Sequence, residues 1–148
     1  MRKGDISNKT APAIAIDIDD LVVETPKPQE EKGVWGWIKD KLTESESVAK
    51  IEVKRYEVTD IYLYLADLFR KDITVYLLAH RTESYREPLE NLLEGVPYNK
   101  LYIVDRVRRE QILRRDNVKY YFYSRDEHAS FMSGDINRKV ESWKEIAW

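Results

Sequence analysis

The stretch Ala13-Ile-Ala-Ile-Asp17-Ile-Asp19-Asp20-Leu21-Val22-Val23 decides the fold class and marks where chemistry is expected. Four apolar residues lead without a polar break into three carboxylates within four positions. Such an apolar run, preceded by Pro12, is typical of a strand covered on both faces in a parallel sheet. The acids then lie at the carboxyl end of the strand, where open α/β sheets place their ligands. The alternative interpretation is structural: Asp19 and Asp20 begin a polar turn, which Asp17 caps.

The three carboxylates repel one another at such short spacing, so the fold has to separate them or supply a cation. Oxygen ligands of this type favour a hard divalent ion. We therefore expect Mg²⁺ as the cofactor at this strand end.

Composition limits the class of protein. A chain of 148 residues is expected to form one domain, 1–148, that buries about two thirds of its unfolded surface. A net charge of −2 excludes a uniformly basic nucleic-acid coat, and the absence of cysteine excludes disulfides and thiolate zinc sites. No apolar run approaches the roughly 18 residues of a membrane helix, and the polar start does not resemble a signal peptide. We expect a cytoplasmic protein without a membrane partner.

Apolar periodicity alternates between strand and helix along the chain. A second strand is predicted from the β-branched run 73–78, and an amphipathic helix from the i, i+3, i+4 spacing over 58–69. Further elements are a helix opened by a capping box at Ser84 and Glu87, a strand at 101–104, a basic helix at 106–115, a strand at 118–123 and a terminal helix carrying Ile136, Val140, Trp143 and Ala147. This order predicts an α/β Rossmannoid fold, with a parallel sheet between two layers of helices.

Residues 24–53 are expected to form a small cap inserted after the first strand. Two prolines and mixed charge indicate a loop, and Trp35 and Trp37 precede a short amphipathic helix that includes Ile38 and Leu42. The insertion is too small to have its own core, so the tryptophans must pack elsewhere. They either form a lid over the site or make a homo-oligomer contact.

An apolar strand ending in Asp-x-Asp-Asp and followed by an insertion resembles the haloacid dehalogenase (HAD) superfamily. The segment 75–83, Val-Tyr-Leu-Leu-Ala-His-Arg-Thr-Glu, resembles the second motif of that family, Leu-Thr-Gly-Arg-Pro-Glu. The members most similar in size are small Mg²⁺-dependent phosphatases, including the 3′-phosphatase half of bifunctional polynucleotide kinases.

The resemblance implies a chemical role for each aspartate. Asp17 would be the nucleophile that forms an aspartyl-phosphate, and Asp19 would protonate the leaving oxygen and later deprotonate water. Mg²⁺ would be held by Asp17, Asp19 and Asp126, provided that the loop carrying Asp126 curls back to the site.

Several positions depart from the family pattern. Leu21 and Ala79 replace hydroxyl residues, and Tyr123-Ser124 stands where the fourth motif has a pair of acids. No lysine occupies the third motif, so Arg108 or Arg109 would supply the phosphate-binding cation.

Four residues are predicted to bind substrate: His80, Arg81, Arg108 and Arg109. For His80 the alternative is a partly exposed loop histidine, and for Arg81 a salt bridge to a nearby glutamate. We expect His128 at the surface.

A basic, tyrosine-rich run also suggests nucleic-acid binding, because cations neutralise phosphates and aromatic rings stack on bases. The alternative is a solvated helix face followed by a core strand. The run comprises Arg106, Arg108, Arg109, Arg114, Arg115, Lys119, Tyr120, Tyr121, Tyr123 and Arg125.

Three functional hypotheses follow. The first is an Mg²⁺-dependent HAD-like phosphohydrolase that acts on a phosphorylated small molecule, a nucleotide or a nucleic-acid end. The second is a catalytically inactive HAD-like module that binds a protein partner or nucleic acid. The third is a receiver-like phosphate acceptor, which the absence of an acid at the end of the second strand disfavours.

Overall fold

A computed structural model describes residues 12–26, 45–132 and 135–147. Its main sheet has five parallel strands in the order β5-β4-β1-β6-β7, and β2 pairs antiparallel with β3 in a separate two-stranded sheet. The strands are β1 (Ala13–Asp17), β2 (Val23–Glu24), β3 (Glu57–Val58), β4 (Thr74–Ala79), β5 (Lys100–Ile103), β6 (Tyr120–Tyr123) and β7 (Asn137–Lys139). The helices are α1 (Ser45–Val53), α2 (Tyr62–Arg70), α3 (Arg86–Leu92) and α4 (Arg106–Arg115), with 3₁₀ turns at Glu83–Tyr85, Asp126–His128 and Trp143–Glu145.

The central strand β1 is buried on both faces. Its alternate residues Ile14 and Ile16 enter one hydrophobic core, which also contains residues of α2 and α3. Ala15 points into a second core that contains Ile112 and Leu113 of α4. The sheet therefore lies between two layers of helices, which confirms the predicted α/β Rossmann-like fold.

The order of the strands creates a switch point beside β1. From β1 the chain moves outward through β4 to β5, and it then returns to β6 on the other side of β1. Ligands of open α/β sheets bind at the carboxyl ends of the strands that flank such a switch point. The acids that follow β1 lie at this edge.

The residues directly after β1 form one tight helical turn. The backbone N–H groups of Val22 and Val23 donate to the carbonyl of Ile18 at 2.9 and 3.0 Å, and Asp20 adopts φ +68°. The hydroxyl of Thr59 donates to the carbonyl of Leu21 at 2.7 Å and connects the turn to the two-stranded β2–β3 sheet. The turn keeps the carboxylates of Asp17, Asp19 and Asp20 at the edge of the sheet, whereas the side chain of Ile18 packs in the hydrophobic core.

The predicted terminal helix is wrong. Residues Asn137–Lys139 form the edge strand β7, and Trp143–Glu145 form a single 3₁₀ turn. The backbone N–H of Tyr121 donates to the carbonyl of Ile136 at 2.6 Å. Pairing with the open edge of β6 therefore outweighs the helical spacing of the apolar residues, because an unpaired strand edge leaves backbone groups unsatisfied.

Helix boundaries differ from the predictions in smaller ways. The predicted capping box does not form, because Thr82 bonds to Ser84 and a 3₁₀ turn precedes α3. Val58 belongs to β3, so α2 begins at Tyr62. Helix α4 has the predicted bounds. Tyr121 lies in a hydrophobic core, as expected if it belongs to a core strand and not to a nucleic-acid-binding surface.

The insertion is described only in part. Trp35, Trp37 and the helix predicted around them lie outside the described residues. The later part forms α1, which the sequence pattern did not predict. Among the described residues, no helix combines the length and the apolar character that a membrane span requires.

Candidate active site

Three segments of the chain meet at the carboxyl edge of the sheet. They are the end of β1, the loop after β4 and the 3₁₀ turn after β6. Because β4 and β6 are the two neighbours of β1, the residues that follow them come together there. One ligand-type atom from each of Asp17, His80 and His128 lies within 4.8 Å of the other two.

Asp17 is fully buried under two histidine rings. His128 Nδ1 hydrogen-bonds to Asp17 Oδ2 at 2.6 Å, while His80 Nδ1 lies 3.5 Å from Asp17 Oδ1. The two imidazoles stack with ring centroids 4.0 Å apart and an interplanar angle of 11°. The backbone N–H of Asp19 also points at Asp17 Oδ1, at 3.4 Å.

Asp17 and His128 shift each other's ionisation. Burial would raise the pKa of Asp17, but the contacts with His128 and His80 outweigh burial and hold that pKa below its ordinary value. Burial would likewise lower the pKa of His128, but the hydrogen bond and charge of Asp17 raise it above its ordinary value. Asp17 is therefore held as a carboxylate.

Asp19 is equally buried, but a guanidinium neutralises it. Arg81 donates through both terminal nitrogens, at 2.7 Å to Oδ1 and 2.9 Å to Oδ2 of Asp19. The Tyr56 hydroxyl accepts from the same guanidinium at 3.2 and 3.3 Å. Burial would lower the pKa of Arg81, but the hydrogen bonds and charge of Asp19 raise it, so Arg81 stays protonated and forms an ion pair with Asp19 in this structure.

A second arginine closes the outer side of this cluster. Arg125 Nε donates to Asp20 Oδ2 at 3.0 Å, and its NH2 donates to the Thr25 hydroxyl at 2.9 Å. Arg81 and Arg125 line an open cleft of about 490 Å³, whose other lining residues are Thr25, Pro26, Glu52, Tyr56 and Glu127. A ligand that enters this cleft meets two guanidinium groups before it reaches the aspartates.

Arg109 lies behind the site and has no exposed surface. Its Nε donates to Glu110 at 2.7 Å, and its NH1 lies 3.3 Å from His80 Nε2. Glu110 in turn accepts from the Ser130 hydroxyl at 2.7 Å. The predicted role of Arg109 in binding substrate does not fit this burial, whereas its contact with His80 connects it to Asp17.

The other predicted site residues have separate positions. Arg108 is exposed and lines a second cleft of about 440 Å³ that also includes Arg81. Asp126 does not reach the aspartates, because its side chain is 83% exposed and pairs with Lys139 at 2.8 Å. The loop after β6 does curl back, but it brings His128 to Asp17.

His128 and Arg125 are the site residues for which sequence reasoning gave no role at the aspartates. The expected surface position of His128 is wrong, because its side chain is only 12% exposed. Tyr121 donates from its hydroxyl to the carbonyl of His128 at 2.7 Å and anchors the turn. The sequence signal that could have identified them is their position, because both residues closely follow a strand that neighbours β1.

The donor set at the site does not suit Mg²⁺. Mg²⁺ requires oxygen ligands in near-octahedral geometry, whereas Asp17 is flanked by two imidazoles and Asp19 already binds Arg81. Asp17, His80 and His128 are ligand types that Zn²⁺ or Fe²⁺ accepts more readily.

Comparisons with known proteins support the fold. Neither a family profile nor a curated protein sequence matches the chain. A chain in the "Structure of Pnkp1/Rnl/Hen1 complex" is similar over 80% of this chain and 41% of that chain, with 16% identity and a TM-score of 0.53. The "Structure of the Pnkp1/Rnl/Hen1 RNA repair complex" gives the same identity and TM-score and covers 38% of its chain.

The present chain thus spans about two fifths of the length of those two chains. A haloacid dehalogenase-like hydrolase from Streptococcus pneumoniae is similar over 80% of this chain and 78% of its own, with 10% identity and a TM-score of 0.49, which is too low to carry an argument. At these identities the comparisons show a shared α/β fold, and they do not show an activity.

Proposed function

We propose that this chain is a HAD-like phosphohydrolase that forms an aspartyl-phosphate on Asp17. The observation that carries the proposal is the pair of aspartates, two residues apart, at the carboxyl end of the central strand and beside the switch point. A cleft lined by Arg81 and Arg125 adjoins the pair.

Asp17 is suited to act as the nucleophile. Its contacts with His128 and His80 keep the pKa low, so the carboxylate needs no general base. An Asp17 oxygen forms a bond to phosphorus, and the bond between phosphorus and the ester oxygen breaks. Water then attacks the aspartyl-phosphate and releases inorganic phosphate.

Asp19 can handle protons only after Arg81 changes partner. In the ligand-free structure the guanidinium of Arg81 binds both oxygens of Asp19. A phosphoryl group offers Arg81 an alternative bidentate partner. Once released, Asp19 takes up a proton from solvent, donates it to the leaving oxygen and later accepts one from the attacking water.

The substrate class that we propose is the phosphorylated end of a polynucleotide. Arg106, Arg108 and Arg114 on α4 are exposed, and no carboxylate in the described ranges pairs with them. Arg108 and Arg81 line one cleft, which connects this basic face with the site. The RNA repair complex named for one structural neighbour is consistent with such a substrate.

The second candidate is a HAD-like module that binds a phosphorylated ligand or a protein partner without hydrolysis. The observation that favours it is that neither Asp17 nor Asp19 has exposed surface, and protein cations already contact both. If these contacts persist when a ligand binds, the aspartates stay inaccessible to phosphorus.

Hydrolysis of an aryl phosphate and of a 3′-phosphorylated oligonucleotide separates the two candidates. We expect turnover that Asp17→Asn lowers by more than about 10³-fold. Asp126→Asn, which changes an exposed acid paired with Lys139, should retain full activity and serves as the control. Parallel assays with Mg²⁺ and with EDTA test the metal requirement expected from the sequence. No turnover with either substrate under either condition, together with binding of the oligonucleotide, would favour the non-hydrolytic module.

A further inference from the structure

Arg109 determines which nitrogen of His80 carries the ring proton. A guanidinium can only donate hydrogen bonds, and Arg109 NH1 lies 3.3 Å from His80 Nε2. The Nε2 atom must therefore be the acceptor, and the proton of the neutral ring resides on Nδ1. That N–H lies 3.5 Å from Asp17 Oδ1, and it makes no hydrogen bond within the described residues.

The surroundings of Arg109 hold it in this orientation. Its side chain is fully buried, Glu110 accepts from its Nε, and its guanidinium lies over the ring of Phe131 with 5.3 Å between Cζ and the ring centroid. Glu110 is itself fixed by the backbone N–H of Phe131 at 3.1 Å. Because Arg109 is buried and held in this way, it lines neither of the two clefts described above and can act on the site only through His80.

The contact between Arg109 and Nε2 of His80 does not suit a metal site. A histidine that binds a metal through Nδ1 carries its proton on Nε2 and donates it to a carboxylate, a carbonyl or water. Here Nε2 faces a donor, so coordination through Nδ1 would place two N–H groups against each other.

We propose that Arg109 is a positioning residue that fixes the Nδ1–H tautomer of His80, and that His128 and Arg81, with the neutral ring of His80 held between Arg109 and Asp17, take the place of a divalent cation at the aspartates. Two imidazoles flank Asp17, and one guanidinium neutralises Asp19. The charge balance of the site is thus supplied by the chain. This arrangement of the site does not depend on the proposed function, and only its role in catalysis rests on that function.

Nitrogen NMR of the histidine rings tests the tautomer directly. In long-range proton–nitrogen spectra of the wild-type protein, at a pH above the ordinary histidine pKa, we expect His80 protonated on Nδ1. Arg109→Met removes the donor at Nε2, so part of the His80 population should then carry the ring proton on Nε2, whereas Arg108→Met, which changes the exposed neighbour, should leave the spectrum of His80 unchanged. An unchanged His80 spectrum in a folded Arg109→Met variant would overturn the positioning role of Arg109. Wild-type His80 protonated on Nε2 would overturn the proposal, and this observation does not depend on whether the Arg109 variant folds.

Metal titration supplies the second readout. Adding Mg²⁺ or Zn²⁺ to EDTA-treated protein should leave the ring signals of His80 and His128 unchanged. A one-to-one shift of both rings with either ion would show that the cluster is a metal site and would overturn the proposal. Failure of phosphate-ester hydrolysis would count against the proposed function alone, because the ring signals are measured without substrate.

Discussion

Asp19 lies without exposed surface next to Arg81, whose side chain is 14% exposed. Two buried charges lose their hydration, and the ion pair has to offset that loss through close, bidentate contact. Removing one partner leaves the other charged and desolvated, which is why single substitutions here are expected to be severe. The buried charges of the site therefore reduce the stability of the protein locally, and the packing of the surrounding fold has to offset that loss.

We predict that Arg81→Met lowers the free energy of unfolding by about 3–5 kcal/mol, because Asp19 then stays buried and keeps only the longer contacts with Arg125 at 3.9 Å and His128 at 3.7 Å. Urea denaturation followed by circular dichroism gives the value. The double variant Arg81→Met/Asp19→Asn should recover much of the loss, since it removes both charges. Arg70→Met, which changes an arginine whose side chain is 72% exposed, is the matched control and should cause no measurable change. Equal effects of the two single substitutions would refute a buried ion pair.

At the scale of elements, the sequence predicts those parts whose structure depends on local pattern. The apolar run of β1, the spacing in α2 and the bounds of α4 all have a local origin, and they were predictable. The edge strand β7 was not, because its residues pair with β6 for reasons that only the assembled sheet supplies. Asp17 and Asp19 were predictable from their position at a strand end.

The contacts that surround these aspartates could not be predicted in the same way. His128 reaches Asp17 through a 3₁₀ turn that has no clear sequence signature, across 111 positions of the chain. Arg109 lies in a helix whose charged residues all suggest a solvated face, yet it is buried. Val107, an apolar residue of the same helix, is exposed instead. In both cases tertiary packing decides what the local pattern leaves open.

The end of α2 offers a prediction on helix termination. Asp72 adopts φ +59° directly after the cap, with its N–H donating to Phe69 O at 3.1 Å and the N–H of Ile73 donating to Leu68 O at 3.0 Å. This is a Schellman motif, in which glycine is preferred because a Cβ is disfavoured at positive φ. We expect Asp72→Gly to raise the free energy of unfolding by about 0.5–1 kcal/mol.

Two matched substitutions test the argument, with thermal unfolding as the measurement. Asp72→Ala should lower stability, because alanine lacks the tolerance of aspartate for this conformation. Ala66→Gly, inside the same helix, should lower it by about 0.5–1 kcal/mol, since glycine at an ordinary helical position only adds backbone freedom to the unfolded chain. A loss of stability in Asp72→Gly would contradict the assignment.

On the scale of the whole molecule, β1 connects both cores and both sides of the site. It pairs with β4 along its full length and with β6 over Ile14 to Ile16, and its alternate side chains contribute to the two hydrophobic clusters. Damage to β1 is therefore expected to affect every part of the fold at once. The site at its end depends on the same pairing.

We predict that Ile16→Ala lowers the free energy of unfolding by about 2–5 kcal/mol, because it leaves a cavity where a side chain without exposed surface had packed. Leu63→Ala provides the control, since Leu63 is 67% exposed and its loss should change stability by less than about 0.5 kcal/mol. Tryptophan fluorescence and far-ultraviolet circular dichroism should give coincident unfolding curves for Ile16→Ala. Separate transitions would mean that the two cores unfold independently.

The central position of β1 also has a consequence for synthesis. The strand leaves the ribosome before either of its partners, Thr74–Ala79 and the segment around Tyr121, which are translated much later. A nascent chain that has not reached Tyr123 carries an apolar strand with one edge unpaired, and such edges favour aggregation. The turn that brings His128 to Asp17 comes later still. The aspartates are thus made well before the residues that govern their chemistry.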